Sequence, residues 1–249
     1  RDLLGSRGLG DVYKRQMNDA EALKKIAGEA ACEFVKTGMR VGLGTGSTVR
    51  YTVLELGRRI AEEGLEIVGV PTSVATENLA TKVGIPLVEL GSWEGLDIVI
   101  DGTDEFDPSF QLIKGGGAAL LREKIVAQQS AAMVVVADHR KQVDCLGAFG
   151  IPIEITPFAS DVTVSALSSL LNCKVELRTM EGKHILTDNG NCIADAQIGP
   201  SITDPVATEA MILNVAGVVQ VGLFNNMCDA VVLASESGVS TLMNPNGRL

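Results

Sequence analysis

Residues 40–64 read RVGLGTGSTVRYTVLELGRRIAEEG. Arg40-Val41-Gly42-Leu43 has the length and apolar character of a short strand. Gly44-Thr45-Gly46-Ser47-Thr48 follows as a glycine-rich turn. Val49, Val53, Leu56 and Ile60 then share one helical face, and Gly64 stops the helix. The same order extends both ways. Upstream, Asn18 or Asp19 is placed to cap a helix with an apolar stripe of Leu23, Ile26, Ala30 and Phe34, closed by Gly38. Downstream, Glu66–Val70 is a strand closed by Pro71-Thr72-Ser73, Thr76–Val83 a helix, and Pro86–Leu90 a short strand. Leu96–Ile100 is a strand ending at Asp101. Gly115–Gly117 open a helix to about Ser130, and Met133–Ala137 is an apolar strand ending at Asp138. Near-continuous apolar strands alternating with helices predict an α/β fold with a parallel sheet covered on both faces.

After Gly147 the pattern changes. Ile151–Thr156, Lys174–Thr179, His184–Thr187 and Cys192–Ala196 read as strands, with helices at Asp161–Leu171 and Asp204–Asn214. Asp188-Asn189-Gly190 is a hairpin turn. Val218–Leu223 and Asp229–Leu233 are apolar strands, the last returning to the first sheet. The expected organisation is a main domain over 17–147 plus 222–249 and a small α+β lobe over 148–221. Residues 1–16 (RDLLGSRGLGDVYKRQ) lack helical periodicity and are expected to be a disordered, non-native leader, with an organelle transit peptide as the alternative. Trp93 falls in a turn and is assigned no role.

Composition narrows the function. The chain has 249 residues, is 46% hydrophobic and 21% charged, and so reads as globular. Its formal charge of −10 argues against nucleic acid or an anionic membrane as partner. No apolar run approaches the ~18 residues of a membrane span. The two histidines, His139 and His184, exclude a His-rich metal site. Five scattered cysteines with no C-x-x-C pair read as reduced thiols in a cytoplasmic protein.

Polar groups gather where strands end, the place where parallel sheets bind ligands. Gly44–Thr48 offers amides and hydroxyls to an oxyanion. It is neither a dinucleotide fingerprint, since Ser47 stands where the third glycine belongs, nor a Walker loop, since no lysine precedes Ser47. Asp101-Gly102-Thr103-Asp104-Glu105-Phe106-Asp107 lacks both the phosphatase D-x-D and the calcium-loop pattern. It reads as a solvated acidic turn or as paired carboxylates for hydroxyl binding and proton transfer. Lys114-Gly115-Gly116-Gly117 presents an ammonium and bare amides to developing negative charge, or is a flexible turn with a solvated lysine. Glu123 falls between Ala119, Val126 and Ala127 on a helix that is apolar nearly all round. It is either a general base with a raised pKa or half of a structural ion pair. Lys141 follows the 133–138 strand, and His139 and Arg140 are expected to face solvent.

Together, Val41–Thr48, Asp101–Glu105, Lys114–Ile125 (KGGGAALLREKI), Lys141–Asp144 with Leu146-Gly147, Thr187–Asn191 and Gly217–Phe224 resemble the type A ribose-5-phosphate isomerases. The resemblance runs from about Met17 nearly to the C-terminus. It implies a Rossmann-like domain with a smaller α+β lobe. It also implies metal- and cofactor-free interconversion of D-ribose 5-phosphate and D-ribulose 5-phosphate, in the pentose phosphate pathway, by a homodimer or homotetramer. By that resemblance Glu123 transfers the proton, assisted by Asp101, Asp104 and Lys114. Thr45, Gly46, Ser47, Thr48, Asp101, Gly102, Thr103, Asp104, Lys114, Gly115, Gly116, Gly117 and Lys141 bind the substrate, with Lys24 near its phosphate. Thr103 stands where the family usually has Ala, Ala216 where it has Pro, and His139-Arg140 where it has a small pair. Two rival readings share the fold: a non-catalytic sugar-phosphate sensor, and a lactonase or amino-sugar deaminase.

Overall fold

The computed structural model describes residues 19–91 and 95–249. The leader expected over 1–16, the Asn18 cap and the turn reading of Trp93 lie outside these residues. Residues 19–30 form helix α1, which tightens into a 3₁₀ turn over Ala31–Phe34. Then come β1 (Arg40–Leu43), α2 (Val49–Glu63), β2 (Val68–Pro71), α3 (Val74–Lys82), β3 (Ile98–Gly102), β4 (Glu105–Phe106), β5 (Leu112–Ile113), α4 (Leu120–Gln128) and β6 (Met133–Asp138). The chain continues through β7 (Ile151–Ile155), α5 (Ser160–Leu171), β8 (Lys174–Leu177), β9 (Thr179–Met180), β10 (Lys183–His184), β11 (Cys192–Gln197) and α6 (Pro205–Leu213). It ends with β12 (Val218–Val221), β13 (Leu223–Phe224), β14 (Ala230–Ser235) and β15 (Gly238–Met243).

Strand alternation explains the main sheet. Ile98 and Ile100, Val134 and Val136, and Ala230 and Val232 point to one face, where they pack with Val53 and Leu56 of α2. Val99, Val135 and Val231 point to the other, where Leu120, Val126 and Ala127 of α4 cover them. Each of these Val, Leu and Ile side chains removed from water stabilises the fold by roughly 1.5–3 kcal/mol. The resulting sheet has the order β15-β14-β6-β3-β1-β2, parallel except for the antiparallel edge strand β15. β1 pairs with both β2 and β3, and the helices that follow β1 and β3 lie on opposite faces. The loops after β1 and β3 therefore diverge and leave a crevice at the carboxyl ends of these strands. A second sheet, β12-β7-β11-β8, is antiparallel and packs a separate core around Ile153, Leu167 and Ile212. Among the described residues, no helix is long and apolar enough to cross a membrane.

Local signals land largely where the sequence put them. Gly64 caps α2 in the left-handed region (φ 71°), Ser73 caps α3 through the Thr76 amide, and Asp204 caps α6 through the Ala207 amide with Pro205 behind it. Four readings are corrected. Residues 86–90 make one bridge, Gly69 to Leu87, and no strand. The helix expected from Gly115 begins at Leu120, because the glycines form a turn ahead of it. Most of the 184–187 segment stays outside the sheets, with one bridge from Leu186 to Cys192. The single strand expected over Val218–Leu223 divides at Gly222 between two sheets. A Cβ at Gly222 would meet the Lys114 carbonyl at 2.2 Å, so the glycine lets the strands change sheets against the Lys114 backbone.

Candidate active site

The crevice beyond β1 and β3 is a cavity of about 770 Å³. It brings together Thr45–Thr48, Gly102–Asp104, Lys114–Gly117, Glu123 and Lys141, all of them singled out in the sequence. Lys24 is also on its wall, its ammonium 2.6 Å from Glu21. Asp101 is not on the wall; it lies directly behind it, with no exposed surface.

Asp101, the penultimate residue of β3, organises its surroundings. Its Oδ1 accepts the Thr45 amide at 3.0 Å and the Gly102 amide at 2.7 Å. A Cβ at Gly44 would sit 2.2 Å from that same oxygen, so only glycine lets the β1 loop approach. The Thr45 hydroxyl is turned away into a cluster with Thr72 (2.7 Å), Ser73 (2.8 Å) and Thr76 (3.2 Å). These bonds pin the loop. The amides of Gly46, Ser47 and Thr48 have no acceptor among the described residues, which leaves them for an anion.

Lys114 is 2% and Glu123 3% exposed. The Lys114 ammonium donates to the Gly102 carbonyl at 2.6 Å, lies 3.0 Å from Asp101 Oδ2 and 3.3 Å from Glu123 Oε2, and stands 5.3 Å from the Phe224 ring centre. Both readings of Glu123 are thus present in one geometry: it is ion-paired and dry. Burial pushes its carboxyl up to about 8, and the nearby Asp101 charge adds to this against the pull of Lys114. Burial also raises Asp101, against the pull of Lys114 and two amides. For Lys114 burial works downward, but the two carboxylates outweigh it and the ammonium is held above its ordinary value. Asp101 Oδ2 and Glu123 Oε2 nevertheless have no hydrogen-bond donor of good geometry among the described residues. Glu123 Oε2 is turned toward Lys114, and the residue itself lines the cavity.

Across the cavity, Asp104 Oδ2 accepts the Gly116 amide at 2.7 Å. Thr103 presents its hydroxyl to the Glu105 and Ile113 carbonyls (2.6 and 2.9 Å), so the extra hydroxyl braces the turn. Glu105, read in the sequence only as one acid of the 101–107 run, is buried and accepts the amides of Gly147 (2.7 Å) and Phe149, bringing Phe149 to the cavity wall. Arg140 is exposed as expected, yet it also lines the cavity, bound to Asp138 at 2.7 and 2.9 Å. Its place directly after a strand end was the available signal. Lys141 lies 5.9 Å from the Phe149 ring centre. Among the described residues, no three His, Cys, Asp or Glu side chains are grouped as metal ligands.

The family profile of ribose 5-phosphate isomerase A (phosphoriboisomerase A) matches residues 68–238. The chain belongs to the ribose 5-phosphate isomerase A family. It is 46% identical over 217 residues to the ribose-5-phosphate isomerase A of Bacillus mycoides, covering 87% of this chain and 97% of that one. Its fold superposes on ribose 5-phosphate isomerase A from Methanocaldococcus jannaschii with a TM-score of 0.84 at 40% identity, over 90% of this chain and 99% of that one. A D-ribose-5-phosphate isomerase in complex with phospho-erythronic acid matches with a TM-score of 0.86 at 39% identity, over the same shares. The α/β architecture and the family expected from the sequence are thereby established.

Proposed function

We propose that this member of the ribose 5-phosphate isomerase A family interconverts D-ribose 5-phosphate and D-ribulose 5-phosphate by moving one proton between C1 and C2 on Glu123. The carrying observation is the burial of Glu123 at the cavity floor, 3.3 Å from Lys114. As a carboxylate, Glu123 takes the proton from C2 of the open-chain aldose. The C2–H electron pair forms the C1–C2 double bond, and charge collects on O1. Glu123 then returns the proton to C1, while the O2 proton passes to O1 and leaves a C2 carbonyl.

Lys114 is placed to hold the developing oxyanion, an effect worth about 3–4 kcal/mol per donor in comparable sites. Asp101 acts from behind the wall as a positioning residue, fixing Lys114 and the β1 loop. Asp104 has Oδ1 without a donor among the described residues, and we assign it to the sugar hydroxyls and ring opening. The amides of Gly46–Thr48 take the phosphate, with Lys24 and Lys141 also lining the cavity.

We also assign the chain two units, 17–147 with 222–249 and 148–221, on the strength of their separate main sheets, whose cores meet at Ile113, Leu146, Leu223 and Ile193. Apolar side chains left in water on and beside α5 and α6, among them Phe158, Val162 and Val206, support a homodimer or homotetramer, which light scattering tests. Free thiols at all five cysteines fit a reducing, cytoplasmic setting. The function itself is tested by assaying ribose 5-phosphate beside a sugar-phosphate lactone and an amino-sugar phosphate. Turnover of the pentose alone supports the isomerase; turnover of either other substrate alone replaces it.

A further inference from the structure

The peptide units of the glycine run are held by a side chain that does not line the cavity. Arg178 lies between β8 and β9, in the smaller sheet's connection, far in sequence from Lys114–Gly117. Its backbone is bonded on both sides, its amide to the Ile193 carbonyl at 2.8 Å and its carbonyl to the Ile185 amide at 3.0 Å. Its guanidinium meets Asp195 of β11 as a fork, Nε to Oδ2 at 2.8 Å and Nη2 to Oδ1 at 2.5 Å. That leaves Nη1, which donates to the carbonyls of Gly115 (2.8 Å) and Gly116 (3.0 Å).

In a planar trans peptide the carbonyl and the following N–H point in opposite directions. A carbonyl tied to Arg178 therefore aims its N–H away from Arg178. For the first peptide unit, that N–H belongs to Gly116 and reaches Asp104 at 2.7 Å. For the second, it belongs to Gly117, which lines the cavity and has no acceptor among the described residues. A cationic donor on the carbonyl also polarises the unit and makes its N–H a stronger donor. The contact is specific to a forked side chain, because one guanidinium serves a carboxylate and two carbonyls at once.

We propose that Arg178, fixed by Asp195, is a positioning residue for the isomerisation: it orients and polarises two peptide units, holding the Gly116 amide on Asp104 and turning the Gly117 amide toward the charge that develops on the substrate. This rests on the function proposed above, and the test separates the two. Wild type, Arg178→Met and Arg178→Lys are compared for kcat and KM with ribose 5-phosphate, and for affinity toward phospho-erythronic acid and inorganic phosphate. Phospho-erythronic acid carries a carboxylate where the enediolate would place its charge; phosphate does not.

Arg178→Met is expected to lower kcat roughly ten- to a hundredfold with KM changed by less than about threefold. It weakens phospho-erythronic acid by a similar factor and leaves phosphate binding unchanged, and Arg178→Lys falls between it and wild type. Unchanged affinity for phospho-erythronic acid overturns the inference, and so does an equal loss for both ligands, which marks general damage to the fold. Where Arg178→Met does not fold, Asp195→Asn takes its place, with a smaller loss of the same selectivity expected and no selective loss overturning the inference. A wild-type protein inactive on ribose 5-phosphate would defeat the proposed function, while the two affinities would still report on Arg178.

Discussion

The Lys114 ammonium stands 3.3 Å from the Glu123 carboxylate, and both side chains are out of water. An ion pair alone would hold the carboxyl below its ordinary value. Here burial and the second carboxylate, Asp101, win, and Glu123 is pushed up to about 8. One ammonium facing two buried acids keeps a proton close to the reacting carbons.

The first consequence is a pH dependence with a defined sign. Glu123 works as a base only when ionised, so kcat/KM of the free enzyme should rise with pH and level off above about 8. The same shift affects stability. The folded state keeps the Glu123 proton between the ordinary value of 4.5 and about 8, whereas the unfolded chain releases it near 4.5. Its contribution is therefore full below about 4.5 and is lost as pH rises through about 8. Urea midpoints of Glu123→Gln, measured across this window, should fall less with pH than those of the wild type.

Glycine substitutions should sort by what the new Cβ meets. At Gly44 it lands 2.2 Å from Asp101 Oδ1, and at Gly116 2.5 Å from Asp104 Oδ1. Gly44→Ala and Gly116→Ala should each lower kcat/KM by on the order of a hundredfold, through displacement of these carboxylates. At Gly117 the nearest atom is Thr45 Cγ2 at 3.7 Å, an ordinary contact. Gly117→Ala should stay within about tenfold of wild type. Steady-state kinetics of the three variants check the order.

Lys124, the residue after Glu123, ties α4 to the smaller sheet. Its buried ammonium bonds Glu209, the Val221 carbonyl (2.7 Å) and Gln220 Oε1 (3.0 Å). Lys124→Met strands these acceptors and should destabilise the protein by about 3 kcal/mol. For a chain of this size that is a fall in Tm of roughly 6–12 °C, readable by calorimetry.

The main sheet was legible because β6 and β14 are runs of Val, Ala and Leu long enough to lie buried on both faces. The site was legible where a local cue coincided with a strand end, as at Gly44–Thr48, Asp101 and Lys114–Gly117. β15 escaped notice because it is an exposed edge strand, Gly238–Met243, with no apolar run to announce it. The Thr45 hydroxyl could not be placed from its own loop, since its partners Thr72, Ser73 and Thr76 belong to the next strand end and helix. The bracing contacts of Glu105 and Arg178 were hidden for the same physical reason: each acts on backbone about 40 or more residues away, and no spacing rule encodes such a contact.

The most direct measurement is on Glu123→Gln, which removes the base while keeping its size. Binding of phospho-erythronic acid and exchange of the C2 hydrogen of ribose 5-phosphate with heavy water are read on the same preparation. The account predicts affinity close to wild type, with isomerisation and exchange both lost by at least about a thousandfold. Exchange or turnover within about tenfold of wild type would contradict it and place the proton on another group.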